Sequence, residues 1–282
     1  MKKMTIYAML TILTWTVSCE KFNPKEVETG SAKAGDADGN VSLYLDSCPQ
    51  QRISIAIFQD DKKVKNIHTQ KDALQDNLLK VTLQEGIYQV VAIAHNGEGN
   101  CTISSPEKIT FAKNKVTDTS YLYDTLEVGV NHVSKRLSLK RAVAIFQLNL
   151  TSPTTPEMQQ LKFYYTGGSS TFNAYTGYGC VNSRQTEYRI LSPQENNYYV
   201  YTFPHPDKKK LQMVITIQDK QQNDLKKTTL EDVPIAINDT TLYRGNFETS
   251  FSDENDSNTD FNFDFEDVWK ENPNVPFFHK SR

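Results

Sequence analysis

Cysteine and histidine, the side chains best suited to nucleophilic or metal chemistry, are few and scattered in this sequence. The 282 residues contain four cysteines and five histidines. No CxxC pair or Cys/His pair has the spacing of zinc ligands, so the sequence predicts no metal site and no cofactor. If Cys19 carries a covalent modification, three cysteines remain, and at most one disulfide can form within the chain. Cys48 and Cys101 are the candidate pair, because both lie in the first half.

Motifs for enzymatic chemistry are also absent from the sequence. It contains no GxSxG, HExxH or P-loop pattern, and no GxGxxG opening a helical pattern. The acidic group Asp253–Asp256 is predicted to be a solvated loop rather than a metal site. We therefore expect no catalytic residues. The enzymatic alternative, a glycosidase, would need two carboxylates about 5–10 Å apart in a cleft.

The start of the chain has the organisation of an export signal. Lys2 and Lys3 precede a 12-residue apolar run, Ile6 to Val17, which is too short to cross a bilayer. Cys19 follows the small residue Ser18, and this ending resembles the lipobox of bacterial lipoproteins. The resemblance implies cleavage before Cys19, acylation of its thiol and its new amino group, and attachment to the outer membrane. The alternative is an ordinary secretory signal with an incidental cysteine.

Composition excludes some classes of partner. With 31 basic and 34 acidic residues and a net charge of -3, the chain lacks the broad basic surface that nucleic-acid binding requires.

Residues 19–40 contain only Phe22 and Val27 as sizeable apolar side chains. Such a segment buries too little surface to fold and is predicted to be a flexible tether.

The remainder of the chain has the periodicity of β-strands. Short runs rich in β-branched and aromatic residues alternate with turn signals and without long helical patterns, which predicts an all-β fold of antiparallel sandwiches. Gln84–Gly86 is predicted to close a hairpin between the runs on either side of it. The predicted strands are Val41–Leu45, Ile53–Phe58, Leu79–Leu83, Tyr88–Ala94, Ile109–Phe111, Tyr121–Val130, Val143–Leu150, Leu161–Tyr165, Tyr198–Phe203, Leu211–Ile217, Leu242–Phe247 and Phe261–Phe265.

A change of alternation divides the chain into two domains. Apolar residues fall on odd numbers up to Leu139 and on even numbers from Ala142, which predicts either a β-bulge or a strand that leaves one core and enters another. We predict a signal peptide over 1–18, a lipidated tether over 19–40, an N-terminal sandwich over 41–133 and a C-terminal sandwich over 134–282. The last run alternates phenylalanine with polar residues, which favours an edge strand that a neighbouring subunit could share.

Several segments together resemble the fimbrillin superfamily of Gram-negative anaerobes, specifically its FimB-type lipoprotein anchors and minor subunits. Their order along the chain is more specific than any one of them. They are the lipobox at Cys19, Val41–Leu45 with Ile53–Phe58, Leu83–Ala92, Leu137–Ala144, Val233–Thr241 with Gly245, and Trp269. The resemblance implies two tandem transthyretin-like Greek-key β-sandwiches, no enzymatic activity, and assembly with other fimbrial subunits by β-strand complementation in a surface fimbrium.

Family stalk subunits are cleaved after an arginine in a loop that follows their first strand. Arg52 is the candidate processing site here, but it abuts the strand Ile53–Phe58 with no loop between them. This departure favours a lipid-anchored subunit over a stalk subunit processed after Arg52.

A further alternative is a surface adhesin for host glycans or proteins, since the second half is rich in tyrosine, a side chain that supplies rigid contact area.

Overall fold

The computed structural model describes residues 38–46, 48–246 and, as backbone only, 262–265. The chain divides into a unit Met1–Ala32, outside the described residues, and a compact unit Lys33–Arg282 that contains all of them. The described residues form strands joined by turns and three short 3-10 turns, Lys71–Ala73, Gln75–Asn77 and Ala112–Asn114. The expected all-β fold is therefore confirmed.

The first half of the described chain has ten strands. They are β1 Val41–Leu45, β2 Arg52–Gln59, β3 Lys62–Gln70, β4 Leu78–Val81, β5 Gly86–His95, β6 Thr102–Ser105, β7 Lys108–Thr110, β8 Thr119–Val128, β9 Val133–Leu137 and β10 Lys140–Arg141. One sheet has the order β4-β1-β9, and the other has the order β10-β8-β5-β2-β3. Aliphatic side chains from both sheets meet in a first core cluster.

The second half has ten further strands. They are β11 Ala144–Leu150, β12 Gln160–Thr166, β13 Thr171–Asn173, β14 Tyr178–Gly179, β15 Gln185–Ile190, β16 Asn197–Thr202, β17 Lys210–Gln218, β18 Asp224–Pro234, β19 Thr240–Asn246 and β20 Asn262–Phe265. Its sheets have the orders β16-β11-β19-β20 and β15-β12-β17-β18. The core cluster between them contains Phe146, Phe163, Tyr165 and Tyr198.

The two halves repeat one strand order. In the first, β1 lies between antiparallel β4 and parallel β9, and in the second, β11 lies between antiparallel β16 and parallel β19. The facing sheets match in the same way, with β3-β2-β5-β8 corresponding to β15-β12-β17-β18. The predicted division into domains at 133/134 stays a prediction, although this repeat agrees with two sandwiches in tandem.

Each half carries one insertion into the shared strand order. The insertion is the hairpin β6-β7, between β5 and β8, in the first half and the hairpin β13-β14, between β12 and β15, in the second. The two insertions pair with each other through β7 and β13, so they form one sheet with the order β14-β13-β7-β6. This sheet joins the halves.

A third core cluster lies against the joining sheet. Phe58 and Ile93 reach it from the five-stranded sheet, and Ile103, Phe172 and Phe203 complete it from both halves. Strands β2 and β5 are therefore buried on both faces, which explains why their sequences are almost continuously apolar.

Of the two explanations for the change of alternation near Lys140, the structure shows the second, a segment that moves from one core to another. Leu137 and Leu139 belong to the first core cluster, Ala142 and Val143 to the third, and Ala144 begins the second. One segment of chain thus contributes successively to all three clusters.

The predicted hairpin at Gln84–Gly86 is wrong. Strand β4 pairs with β1 and β5 pairs with β2 and β8, so the turn carries the chain from one sheet of the sandwich to the other. A short turn with glycine suits both kinds of connection, because local sequence does not specify which strands pair.

Candidate functional site

The predicted lipid-attachment residue and export signal lie at the start of the chain. Cys19, residues 1–18 and the tether up to residue 37 are outside the described residues. Lipid attachment at Cys19 therefore stays a prediction. In the described part of the chain, no helix has the length and apolar character required to span a membrane.

The first described strand, β1, is an integral part of its sheet. It is the central strand, and Val41, Leu43 and Leu45 are buried in the first core cluster. Burial of each such aliphatic side chain contributes roughly 1.5–3 kcal/mol. Losing β1 would also leave the backbone groups of β4 and β9 that face it without partners. This strand is therefore held by both packing and hydrogen bonds.

Arg52 is the first residue of β2 and is paired on both sides. It lies opposite Gln70 of β3 and His95 of β5, and Ile53 is likewise paired with both strands. The Arg52 Nε donates a hydrogen bond to the Gly97 carbonyl at 2.8 Å. The peptide bond after Arg52 is thus inside a five-stranded sheet.

The connection between β1 and β2 is also tied to the body of the protein. Gln50 is fully buried, and its Nε2 donates to the Ser120 Oγ at 3.1 Å. The Asp46 backbone N–H donates to the Leu137 carbonyl, and the Gln51 N–H to the Asn96 Oδ1. No long exposed loop precedes Arg52 among described residues 48–51.

The described cysteines are free thiols, so the structure does not contain the predicted Cys48–Cys101 disulfide. The physical reason is their placement, because Cys48 packs in the first core cluster and Cys101 in the third. Burial raises the pKa of the Cys101 thiol to about 11 and also raises the pKa of Cys48. Both side chains act as small apolar residues.

Polar side chains that resemble a catalytic arrangement are buried in the sheet. The Ser54 Oγ lies 2.8 Å from the His68 Nδ1, but Ser54 is completely buried in β2 and shielded from any substrate. Burial, with the charge of Lys63, lowers the pKa of His68. Within the described residues no three His, Cys, Asp or Glu side chains are grouped to hold a metal ion.

A basic cavity lies where the two insertions end. Its volume is about 430 Å³, and one wall is the turn Lys113–Lys115 after β7 while the other is Arg184 and the strand β15 after β14. Four cationic side chains and one carboxylate, Glu187, line it. This site was not predicted from the sequence, because its two walls are about seventy residues apart in the chain and neither contains a recognisable motif.

A buried polar network supports the second wall of this cavity. The Tyr165 hydroxyl donates to the Glu187 Oε1 at 2.7 Å, and the Arg189 Nη2 donates to the Glu187 Oε2 at 2.6 Å and to the Tyr199 carbonyl at 2.7 Å. Burial and the Glu187 charge raise the pKa of Tyr165 well above its usual range. The network fixes β15 against the core of the second half.

The tyrosines of the second half divide between core and surface. Tyr165 and Tyr198 are buried in the second core cluster, whereas Tyr164, Tyr175 and Tyr188 are exposed. Tyr188 lines the basic cavity.

The sequence matches the family model of the fimbrillin-A associated anchor proteins Mfa1 and Mfa2 over residues 50–269. The match covers more than three quarters of the chain, so the protein belongs to this family of fimbrial anchor proteins. Membership confirms the resemblance drawn from the sequence, and the family is structural rather than enzymatic. The protein is accordingly a fimbria-associated surface protein. No functionally curated protein matches the sequence.

The protein is similar to several solved structures at low sequence identity. The fimbrial anchor protein Mfa2 from Porphyromonas gingivalis is 10% identical with a TM-score of 0.40, over 73% of this chain and 89% of that one. A candidate adhesin from Bacteroides ovatus is 13% identical with a TM-score of 0.48, over 68% and 81%. A candidate polysaccharide-binding protein from Bacteroides thetaiotaomicron is 10% identical with a TM-score of 0.49, over 73% and 90%.

Proposed function

We propose that this protein is a lipid-anchored subunit at the membrane end of a fimbria, attached to the outer membrane through Cys19. Family membership supports a role in the fimbria. The position of Arg52 supports the membrane end, because a protease cannot bind the bond after Arg52 while β2 is paired with β3 and β5. A subunit that keeps β1 also keeps its N-terminal lipid.

Mass spectrometry of the protein from its native cell surface tests this role. We expect a mature N-terminus at Cys19 carrying acyl chains, and loss of membrane attachment in the variant Cys19→Ala. Cys180→Ala is the matched control, since Cys180 is an exposed free thiol in the body of the protein. A mature chain that begins at Ile53 would instead make the protein a stalk subunit.

We infer further that the protein joins other fimbrial subunits by β-strand complementation. The strand β20 supports this inference, because among the described residues it lies at the edge of its sheet and pairs with β19 alone, through four residues. Because so few backbone pairs must be broken, exchange with a strand of a neighbouring subunit costs little free energy. In sequence, phenylalanine alternates with polar residues along this strand.

Co-purification of fimbrial subunits with the full chain tests strand exchange. We expect Phe263→Asp to reduce the recovery of partner subunits, because a charge would replace an apolar side chain in the exchanged strand. Asp264→Asn, at the next position of the same strand, is the control. Equal recovery of partners with Phe263→Asp, at unchanged stability, would rule out this strand as the connection.

A further inference from the structure

The basic cavity lies between a strand of the repeat and the segments that follow the two insertions. The turn Lys113–Lys115 follows the insertion of the first half, and Arg184 follows the insertion of the second and leads into the repeat strand β15. The cavity volume of about 430 Å³ lies within the range of roughly 300–1,000 Å³ that small-molecule sites occupy.

Two of the four cations in the cavity are not committed to a carboxylate. Lys113 pairs with Glu98 at 2.8 Å, and Arg189 pairs with Glu187 at 2.6 Å. Among the described residues, Lys115 and Arg184 form no ion pair within 4.0 Å, although Glu98 lies close enough to interact with Lys115 through space. The cavity therefore has an excess of positive charge, which an anionic group would complement.

A buried polar atom in the wall also lacks a partner. Gln185 is only 7% exposed, and its Nε2 donates to the Asn114 carbonyl at 3.1 Å. The Gln185 Oε1 is buried and accepts no hydrogen bond. An unpaired acceptor of this kind is costly, and because the atom is closed to solvent a ligand does not reach it.

An aromatic ring completes the lining. Tyr188 is about half exposed, and its ring offers a flat apolar surface beside the charged groups. Strand β15 is the edge of its sheet, so its outer backbone groups can also hydrogen-bond to a ligand. Cations, a hydroxyl acceptor and an aromatic ring are together the groups that recognise an acidic sugar.

We propose that this cavity binds a uronic-acid residue of a glycan. The sugar carboxylate pairs with Lys115 and Arg184, a ring hydroxyl donates to an outer backbone carbonyl of the edge strand β15, and the apolar face of the sugar packs on Tyr188. Arginine and lysine differ in geometry, and Arg184 supplies the bidentate contact. This binding activity is independent of the anchor role, because it requires neither Cys19 nor strand exchange.

Calorimetric titration of the purified full chain with trigalacturonic acid tests the proposal. We expect binding that weakens as salt is added, and no binding of the neutral trisaccharide galactotriose. The double variant Lys115→Gln/Arg184→Gln should bind trigalacturonic acid at least about tenfold more weakly. Lys227→Gln, an exposed lysine on β18, is the control for a change of charge.

Further variants separate sugar recognition from attraction between charges. We expect Tyr188→Ala to weaken binding while Tyr188→Phe does not, since the ring makes the contact. Absence of trigalacturonate binding at millimolar concentration, or wild-type affinity in the double variant, would overturn the proposal. Binding of poly-glutamate with the same affinity and the same dependence on Tyr188 would overturn the assignment to a sugar.

Discussion

The two halves of the molecule share a strand order but differ in their cores and edges. The first core is mainly aliphatic, with Tyr88 as its one aromatic side chain among the described residues. The second core contains a group of aromatic rings around Phe146 and encloses the hydrogen-bonded pair Tyr165 and Glu187. One backbone arrangement thus tolerates two kinds of packing, because core volume and alternation matter more than the identity of each side chain.

The edges of the two halves differ more than their cores do. In the first half, the sheet β4-β1-β9 ends at β9 within the described chain, whereas in the second half β20 adds to β19 at the equivalent position. The two insertions are placed at different points of the shared strand order and meet only in the folded protein. The two insertions therefore add the sheet that joins the halves, and the segments that follow them complete the cavity beside the repeat strand β15.

Breaking the buried ion pair Arg141–Asp118 in the first half, next to the point where the chain enters the second, should have the largest effect. Arg141 is bidentate to Asp118, with Nε to Oδ1 at 2.8 Å and Nη2 to Oδ2 at 2.9 Å, and the Arg141 side chain is fully buried. We expect Arg141→Ala to lower the free energy of unfolding by about 3–5 kcal/mol, because it leaves a buried carboxylate unpaired. Chemical denaturation measures this change.

Arg136→Ala is the matched control for this experiment. Arg136 pairs with Asp46 at 3.3 Å, but its side chain is mostly exposed. Its removal should change the free energy of unfolding little, because exposed ion pairs contribute little. Equal destabilisation by the two variants would contradict the importance of the buried ion pair.

Matched truncations in the two cores test whether the halves unfold together. Leu43 in β1 and Leu148 in β11 are completely buried on the central strands of equivalent sheets. We expect Leu43→Ala and Leu148→Ala each to cost about 2–5 kcal/mol. Because the third core cluster joins the halves, both variants should shift one cooperative transition.

Tyr44→Ala serves as the control, since Tyr44 is on the same strand as Leu43 but is 40% exposed. It should have a much smaller effect on the free energy of unfolding. Two separate unfolding transitions, with the midpoint of each lowered by only one of the leucine variants, would show instead that the halves are independent folding units.

The first half should also make stability depend on pH. Burial, with the charges of Arg52 and His68, lowers the pKa of His95 from 6.5 to about 4. Between these values the unfolded chain binds the proton more tightly, so stability is full above about pH 6.5 and falls as the pH drops toward 4. His95 accounts for about 3 kcal/mol of the free energy of unfolding that is lost over this pH range.

Denaturation curves recorded across this range measure the effect. The variant His95→Gln should show a shallower fall in the free energy of unfolding between pH 6.5 and 4 than the wild-type protein. An unchanged slope in the variant would mean that other groups cause the pH dependence.

The smallest predicted effects come from removing the hydroxyl group of one buried tyrosine in each core. Tyr165→Phe should cost about 1–3 kcal/mol, because it leaves the buried Glu187 Oε1 without its donor. Tyr88→Phe should cost only about 0.5–1.5 kcal/mol, since its hydroxyl donates to the neutral, partly solvated Gln84 carbonyl. Thermal or chemical denaturation would refute this ranking if Tyr88→Phe proved the more destabilising.

Predictions from sequence succeeded for strands with apolar patterns and missed polar strands at sheet edges. Strands β2, β5 and β17 were predicted to within two residues, because their buried faces require a regular apolar pattern. Strands β3, β15 and β18 were missed. All three lie at sheet edges, where much of each strand faces solvent and polar side chains are accepted.

The sequence alone determined the all-β class, the change of alternation near Lys140 and the family, since these depend on local alternation and on the order of segments. Tertiary structure decided which strands pair, how Arg52 is paired with a strand on either side, and how Lys115 and Arg184 share one cavity. These features depend on contacts between residues far apart in the chain, and alternation specifies the face of a strand but not its neighbour.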